Sequence, residues 1–125
     1  MENILSREKN GPIEILTLND PKKLNALSEE MLNKLQDTFD EISKRSDVKA
    51  IILRGEGKAF CAGHDLKQMQ QARQSSDGGR EYFTHLFKKC GRMMLTISNM
   101  LVATVSSLFT ALGCFTEYVP LSCPL

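Results

Sequence analysis

Apolar and polar positions follow three different rhythms along this chain, and each rhythm predicts a different element. Ile13-Glu14-Ile15-Leu16-Thr17-Leu18 is β-branched and mostly apolar, with Gly11-Pro12 before it and Asn19-Asp20-Pro21 after it, which predicts a strand. Met31, Leu32, Leu35, Phe39 and Ile42 then recur at helical spacing, with Lys34, Asp37, Glu41 and Lys44 off that stripe. Ser28 is the expected N-cap of this helix, and Glu29 and Glu30 fall in its first turn, where the helix dipole favours negative charge. The third rhythm is no alternation at all. Val48 to Leu53 contains Ala50-Ile51-Ile52-Leu53, as expected of a parallel strand covered on both faces.

Strand, amphipathic helix and strand in this order make a right-handed βαβ unit, so the expected fold is α/β and layered. Past Leu53 a glycine-rich turn leads into a short polar helix, Leu66 to Arg73, and Gln74 to Gly79 reads as a loop. Tyr82, Phe83, Leu86, Phe87, Cys90, Met93, Met94 and Ile97 predict the clearest helix of the chain, and Leu101 to Val105 a third central strand.

Composition narrows the picture. A chain of 125 residues with 42% hydrophobic and 25% charged residues is one soluble domain at most. The net charge of +1 comes from interspersed charges of both signs, which argues against a nucleic-acid partner. Cys61, Cys90, Cys114 and Cys123 have neither paired spacing nor histidines at ligand distance, so no metal is expected, and free thiols suit a reducing compartment. The first residues resemble neither a secretory signal nor a transit peptide, which makes the cytoplasm the default location. A mitochondrial location is the alternative if a longer form carries a transit peptide. Only Glu117 among the charged residues lies beyond Arg92, so 93–115 is charge-free. Its many Ser, Thr and Asn residues favour buried core over a membrane span, and no membrane partner is expected.

The chemistry is concentrated in Gly55-Glu56-Gly57-Lys58-Ala59-Phe60-Cys61-Ala62-Gly63-His64-Asp65-Leu66. A glycine turn between a buried strand and a helix offers free N–H groups to an anion or a developing oxyanion. The same glycines equally serve as plain turn residues with positive φ. The spacing excludes a P-loop and a dinucleotide-binding turn.

Taken with Asn25-Ala26-Leu27 after a proline turn, Val102-Ala103-Thr104-Val105 and Gly113-Cys114, this segment resembles the crotonase (enoyl-CoA hydratase/isomerase) superfamily. The resemblance covers 11–114 as a partial crotonase-like domain, with 1–10 as an N-terminal lead and 115–125 as a divergent tail. It implies a truncated spiral of ββα-type turns around a parallel sheet, and an acyl-CoA thioester as ligand. Coenzyme A would enter as part of the substrate and no separate cofactor is implied. The thioester carbonyl would lie between two backbone N–H donors, those of His64 and Leu112. The path of the ligand would follow Lys23, Leu24, Ala26, Ala62, His64, Asp65, Leu66, Lys67 and Gly113. Lys23 and Lys67 would approach CoA phosphates, or are simply solvated surface. Asp65 reads equally as the N-cap of the next helix.

Departures from the family pattern bear on activity. Leu112 stands where a small residue is usual, the family's turn glycine falls on Ser107, and Phe115 occupies the position of the hydratases' first carboxylate. The second carboxylate has no counterpart. Three functions follow: a weak or inactive relative of acyl-CoA enzymes, a non-catalytic CoA-binding module, or a fragment without function. The family forms trimers, an assembly left open for this chain because the contacts lie mostly beyond the resemblance.

Overall fold

A computed structural model describes residues 3–100, together with the backbone of 103–110 and 113–115. Five strands form one sheet in sequential order: β1 (Leu5–Asn10), β2 (Ile13–Leu18), β3 (Ala50–Gly55), β4 (Ala103–Thr110) and β5 (Gly113–Phe115). The helices are α1 (Glu29–Ser43), α2 (Leu66–Ala72) and α3 (Arg80–Asn99). β2, β3 and β4 are parallel, and the outer pairs β1–β2 and β4–β5 are antiparallel. Parallel neighbours need long crossovers. Helix α1 supplies the first, and α2 with α3 the second.

The predicted helix α1 forms on its predicted face. Ser28 Oγ accepts the Met31 N–H at 3.2 Å, and Met31, Leu32, Leu35, Phe39 and Ile42 are all buried. They pack with Leu5, Leu16, Leu18 and Ile51 of the sheet and with Leu86, Met93 and Ile97 of α3. Full burial of an aliphatic or aromatic side chain contributes about 1.5–3 kcal/mol, so this stripe dominates the stability of the layer.

Three expectations are corrected. The lead contains a strand: Leu5–Asn10 pairs along its length with β2, across a turn in which Gly11 takes φ 58°. Its polar sequence hid it, because an edge strand carries charges that discourage further pairing. Strand β3 is not covered on both faces, since Ile51 is buried but Ile52 and Leu53 are only half-buried. Helix α3 buries Leu86, Met93 and Ile97, with Tyr82 and Cys90 partly buried, while Phe87 and Met94 are exposed. Adjacent apolar pairs such as Leu86-Phe87 span a wider arc than one contact face can cover.

Strand β4 also runs past the expected turn at Ser107, which pairs with Arg54, and continues to Thr110. No glycine interrupts 103–110, and its β-branched and aromatic residues favour extended backbone. Leu101 and Val102, the start of the predicted third strand, lie outside the described residues.

One buried carboxylate ties the layers together. Glu14 is 1% exposed, accepts from Arg7 at 2.9 and 3.1 Å, and from Arg45 at 2.8 Å. Arg7 also reaches Glu41 on α1, and Asp47 receives Arg45 and Lys9. The Arg7 guanidinium holds Glu14 and Glu41 below the ordinary carboxylate range, and Arg45 with Lys9 holds Asp47 well below it. A carboxylate whose folded-state pKa is depressed stabilises the fold above its unfolded value, and that stabilisation is lost as the pH falls through the folded value. Unfolding free energy is therefore expected to stay level from neutral pH to about 4.3 and to fall steadily below it. Urea titrations across this range check the loss. A Glu14→Gln variant should flatten part of it.

Candidate functional site

Two connections meet at the carboxyl end of the central strands. The first follows β2: Pro21–Lys23 makes a short 3-10 turn, after which Leu24 and Asn25 take φ 52° and 54°. The second follows β3 and runs through 56–65 to α2. Asn25 joins them. Its side chain is fully buried, donates to the carbonyls of Glu56 and Ala59 at 2.8 Å each, and accepts the Asp20 N–H at 2.8 Å. Asparagine suits the position, because it tolerates left-handed backbone and its amide bonds nearby main chain.

Gly55 is required by the same closeness. A Cβ there would stand 2.5 Å from the Phe60 carbonyl oxygen and 2.9 Å from Asn25 Nδ2. Gly63 answers a different need, backbone at φ 89° with open space around it. The two chains then run side by side: Ala62 N–H donates to Leu24 O at 3.0 Å, and Leu27 N–H to Gly63 O at 2.7 Å.

Leu27 and His64 are partners in a parallel bridge. Because Leu27 donates to the residue before His64, the N–H of His64 itself faces away from Leu27. Among the described residues no acceptor meets it. Gly63 N–H, by contrast, is taken by Cys61 Sγ at 3.4 Å. The N–H of His64 is thus one of several in 57–66 that have no acceptor among the described residues. Its imidazole stands edge-on to Phe87, with ring centroids 5.7 Å apart, and its Nδ1 is buried without a partner among the described residues.

A cavity of about 250 Å³ opens here, walled by Lys22, Lys23, Ala26, Ala62, His64 and the start of α2 from Asp65 to Lys67. Asp65 Oδ1 accepts the N–H groups of Lys67 and Gln68 at 2.9 and 3.3 Å, so its N-cap role is fulfilled at the cavity edge. Lys23 lies 3.9 Å from Asp20. Of the predicted site residues, Lys23, Ala26, Ala62, His64, Asp65, Leu66 and Lys67 converge on this cavity. Leu24 does not line it. Its side chain is exposed, and only its carbonyl contributes, by holding Ala62. Gly113 pairs with Thr110 where β4 extends beyond the end of β3, at the same end of the sheet. Leu112 lies outside the described residues. The sequence reading missed Lys22, and gave Asn25 no role although an asparagine between a proline turn and a helix cap was a usable signal.

A 20–26 turn held against a glycine turn is an arrangement that can be compared with known proteins. The sequence profile described as enoyl-CoA hydratase/isomerase matches residues 13–108. The chain belongs to the enoyl-CoA hydratase/isomerase family. Its similarity to the rat enoyl-CoA hydratase domain-containing protein 3, mitochondrial, is 38% identity over 112 residues, 87% of this chain and 35% of that one. A crystal structure of an enoyl-CoA hydratase from Mycobacterium smegmatis superposes with TM-score 0.77 at 39% identity, over 84% of this chain and 39% of that one. The human enoyl-CoA hydratase domain-containing protein 3 superposes with TM-score 0.72 at 33% identity, over 83% and 39%. The fold is thus the crotonase fold in part, and the chain spans about 35% of the length of the curated relative and 39% of each of these solved ones. Among the described residues of this family member, no group of three or more His, Cys, Asp or Glu residues could hold a metal ion. No described helix is long and apolar enough to cross a membrane.

Proposed function

We propose that this chain binds an acyl-CoA thioester with its carbonyl oxygen on the His64 N–H. The observation that carries this reading is the N–H of His64, without an acceptor among the described residues, beside a cavity edged by Lys22, Lys23 and Lys67. A preorganised backbone donor stabilises negative charge developing on a carbonyl oxygen, the enolate of a thioester in this case. The lysines would meet CoA phosphates as point charges, and Ala26, Ala62 and Leu66 would leave an apolar path between them. At about 250 Å³ the cavity takes one end of such a ligand, being smaller than most pockets that enclose a whole one.

Binding exceeds catalysis in this reading. Water addition needs an acid and a base that exchange protons with substrate, and Phe115 stands where the family's hydratases carry the first carboxylate. Hydration of crotonyl-CoA is expected to stay far below about 1 per second, the lower end of ordinary enzyme turnover. The chain then serves as a CoA-binding module of acyl-CoA metabolism. The mitochondrial relatives favour the mitochondrion over the cytoplasm as its location.

The test separates backbone from side chain at one residue. His64→Ala keeps the N–H and should bind a CoA thioester within about threefold of the parent, while His64→Pro removes the donor and should weaken binding at least about tenfold, in line with loss of a hydrogen bond to a polar ligand group. Isothermal titration reads both. Equal affinity of the two variants would sink the reading.

A further inference from the structure

A second cavity, of larger volume, lies at the opposite end of the strands from His64. It measures about 1080 Å³ and runs between the connection from α1 to β3 and the second half of α3. The connection enters β3 at Ala50 and the His64 turn leaves it at Gly55, so the two sites are separated by the length of a six-residue strand, about 20 Å.

One face of α3 forms a wall. Lys88, Gly91, Arg92, Leu95, Thr96 and Asn99 follow the spacing of a single helical stripe and all line the groove. From Lys88 to Asn99 this stripe is about 16 Å long. Nothing stands within 4 Å of a Cβ placed on Gly91, so the wall dips in its middle. Leu95 is 62% exposed beside it, and the half-buried Met100 adds apolar surface.

Charge in the groove is one-sided. Lys44, Arg45, Lys49, Lys88 and Arg92 line it, and no Asp or Glu does. Arg45 is matched by Glu14 and Asp47, and Arg92 by Asp40. Lys44, Lys49 and Lys88 are exposed and form no ion pair among the described residues. A cluster of uncompensated cations around an apolar strip is complementary to a surface that is apolar along one line and acidic on both sides.

We propose that this groove docks an acidic amphipathic helix of a partner protein, of about three turns, with apolar residues over Leu95 and Gly91 and carboxylates reaching Lys44, Lys49 and Lys88. Helix-in-groove recognition uses this combination of an apolar line and flanking charge. The size and shape fit a peptide better than a compact metabolite, since the volume is above the usual range for an enclosing small-molecule pocket and the groove is open along its length. Nucleic acid fits less well. Its phosphates call for a continuous basic stripe, and here the middle of the groove is apolar and the chain's net charge is only +1.

The probe is a fluorescein-labelled synthetic helix of roughly 14 residues, with Leu at helical i, i+4 and i+7 spacing and Glu elsewhere, titrated with the full chain by anisotropy. Saturation is expected, with affinity falling at least about tenfold between about 0.05 and 0.5 M NaCl as exposed charges are screened. A triple variant, Lys44→Glu with Lys49→Glu and Lys88→Glu, should weaken binding at least about tenfold, because three attractive pairs become repulsive. These side chains are exposed, and carbodiimide coupling of the peptide to the unmodified chain gives a second readout: the cross-links should map to Lys44, Lys49 or Lys88. Cross-links confined to other lysines overturn the proposal. So does equal binding of the same helix with Lys in place of Glu, absence of saturation by about 1 mM, or tighter binding of an RNA oligonucleotide. Dimerisation of the chain through the same lysines without peptide binding would overturn it in favour of a second copy.

Discussion

Asn25→Ala is expected to lower the unfolding free energy by about 4 kcal/mol and to abolish the proposed ligand binding at the His64 turn. The side chain is fully buried and makes three hydrogen bonds, to Glu56 O, Ala59 O and Asp20 N. Truncation leaves three main-chain groups unpaired, each costing about 1–3 kcal/mol where water cannot replace the lost partner. Some water will enter the space left by the amide, which keeps the total near the lower part of that sum. Left-handed backbone at φ 54° adds about 1 kcal/mol for alanine. Urea unfolding measures the total. Asn25→Gly separates its parts, since glycine relieves the backbone strain and restores no hydrogen bond, so it should recover no more than about 1 kcal/mol. Hydrogen exchange in 56–62 should quicken in both variants. A stability for Asn25→Ala within error of the parent would show that the two connections are held by something else.

Gly55→Ala acts on the same junction by crowding. The new Cβ would stand 2.5 Å from Phe60 O and 2.9 Å from Phe60 Cα, both main-chain atoms with no rotamer to escape into. Either β3 or the 56–62 segment must shift, and overpacking of this kind costs about 1–3 kcal/mol or more. A loss of about 3 kcal/mol is expected, together with at least about tenfold weakening of the proposed CoA thioester binding, because the displaced segment leads directly into the His64 turn. Gly91→Ala is the control. It lies inside α3 with open space around it, so alanine there should stabilise by about 0.5–1 kcal/mol. If Gly55→Ala and Gly91→Ala behave alike in urea, the close approach at Gly55 does not constrain the site.

The His64 turn illustrates how local signals and long-range contacts divide the work. Its glycines and Asp65 cap could be read from neighbouring residues, and the family resemblance singled out His64 as the candidate donor. The direction of that N–H depends on Leu27, which bonds the carbonyl of Gly63 and leaves the next amide without an acceptor among the described residues. No pattern within 55–66 contains that fact. The same division holds at α3, where the apolar stripe was legible but its partition was not: Leu86, Met93 and Ile97 face the sheet and α1, and Phe87 stands outward against His64.

What the sequence determined by itself is everything that repeats over a few residues. The period of Met31, Leu32, Leu35, Phe39 and Ile42 specifies α1 and its buried face, Ser28 specifies where it starts, and the uninterrupted Ala50-Ile51-Ile52-Leu53 specifies an inner parallel strand. Tertiary structure alone decided that a polar segment, 5–10, would be an edge strand, that Glu14 would be buried between two arginines, and that Asn25 would clamp a turn more than 30 residues away. The physical reason is the range of the forces. Helix and strand periods arise from contacts with near neighbours in sequence, whereas a site is made by groups that meet only after the core has brought distant segments together.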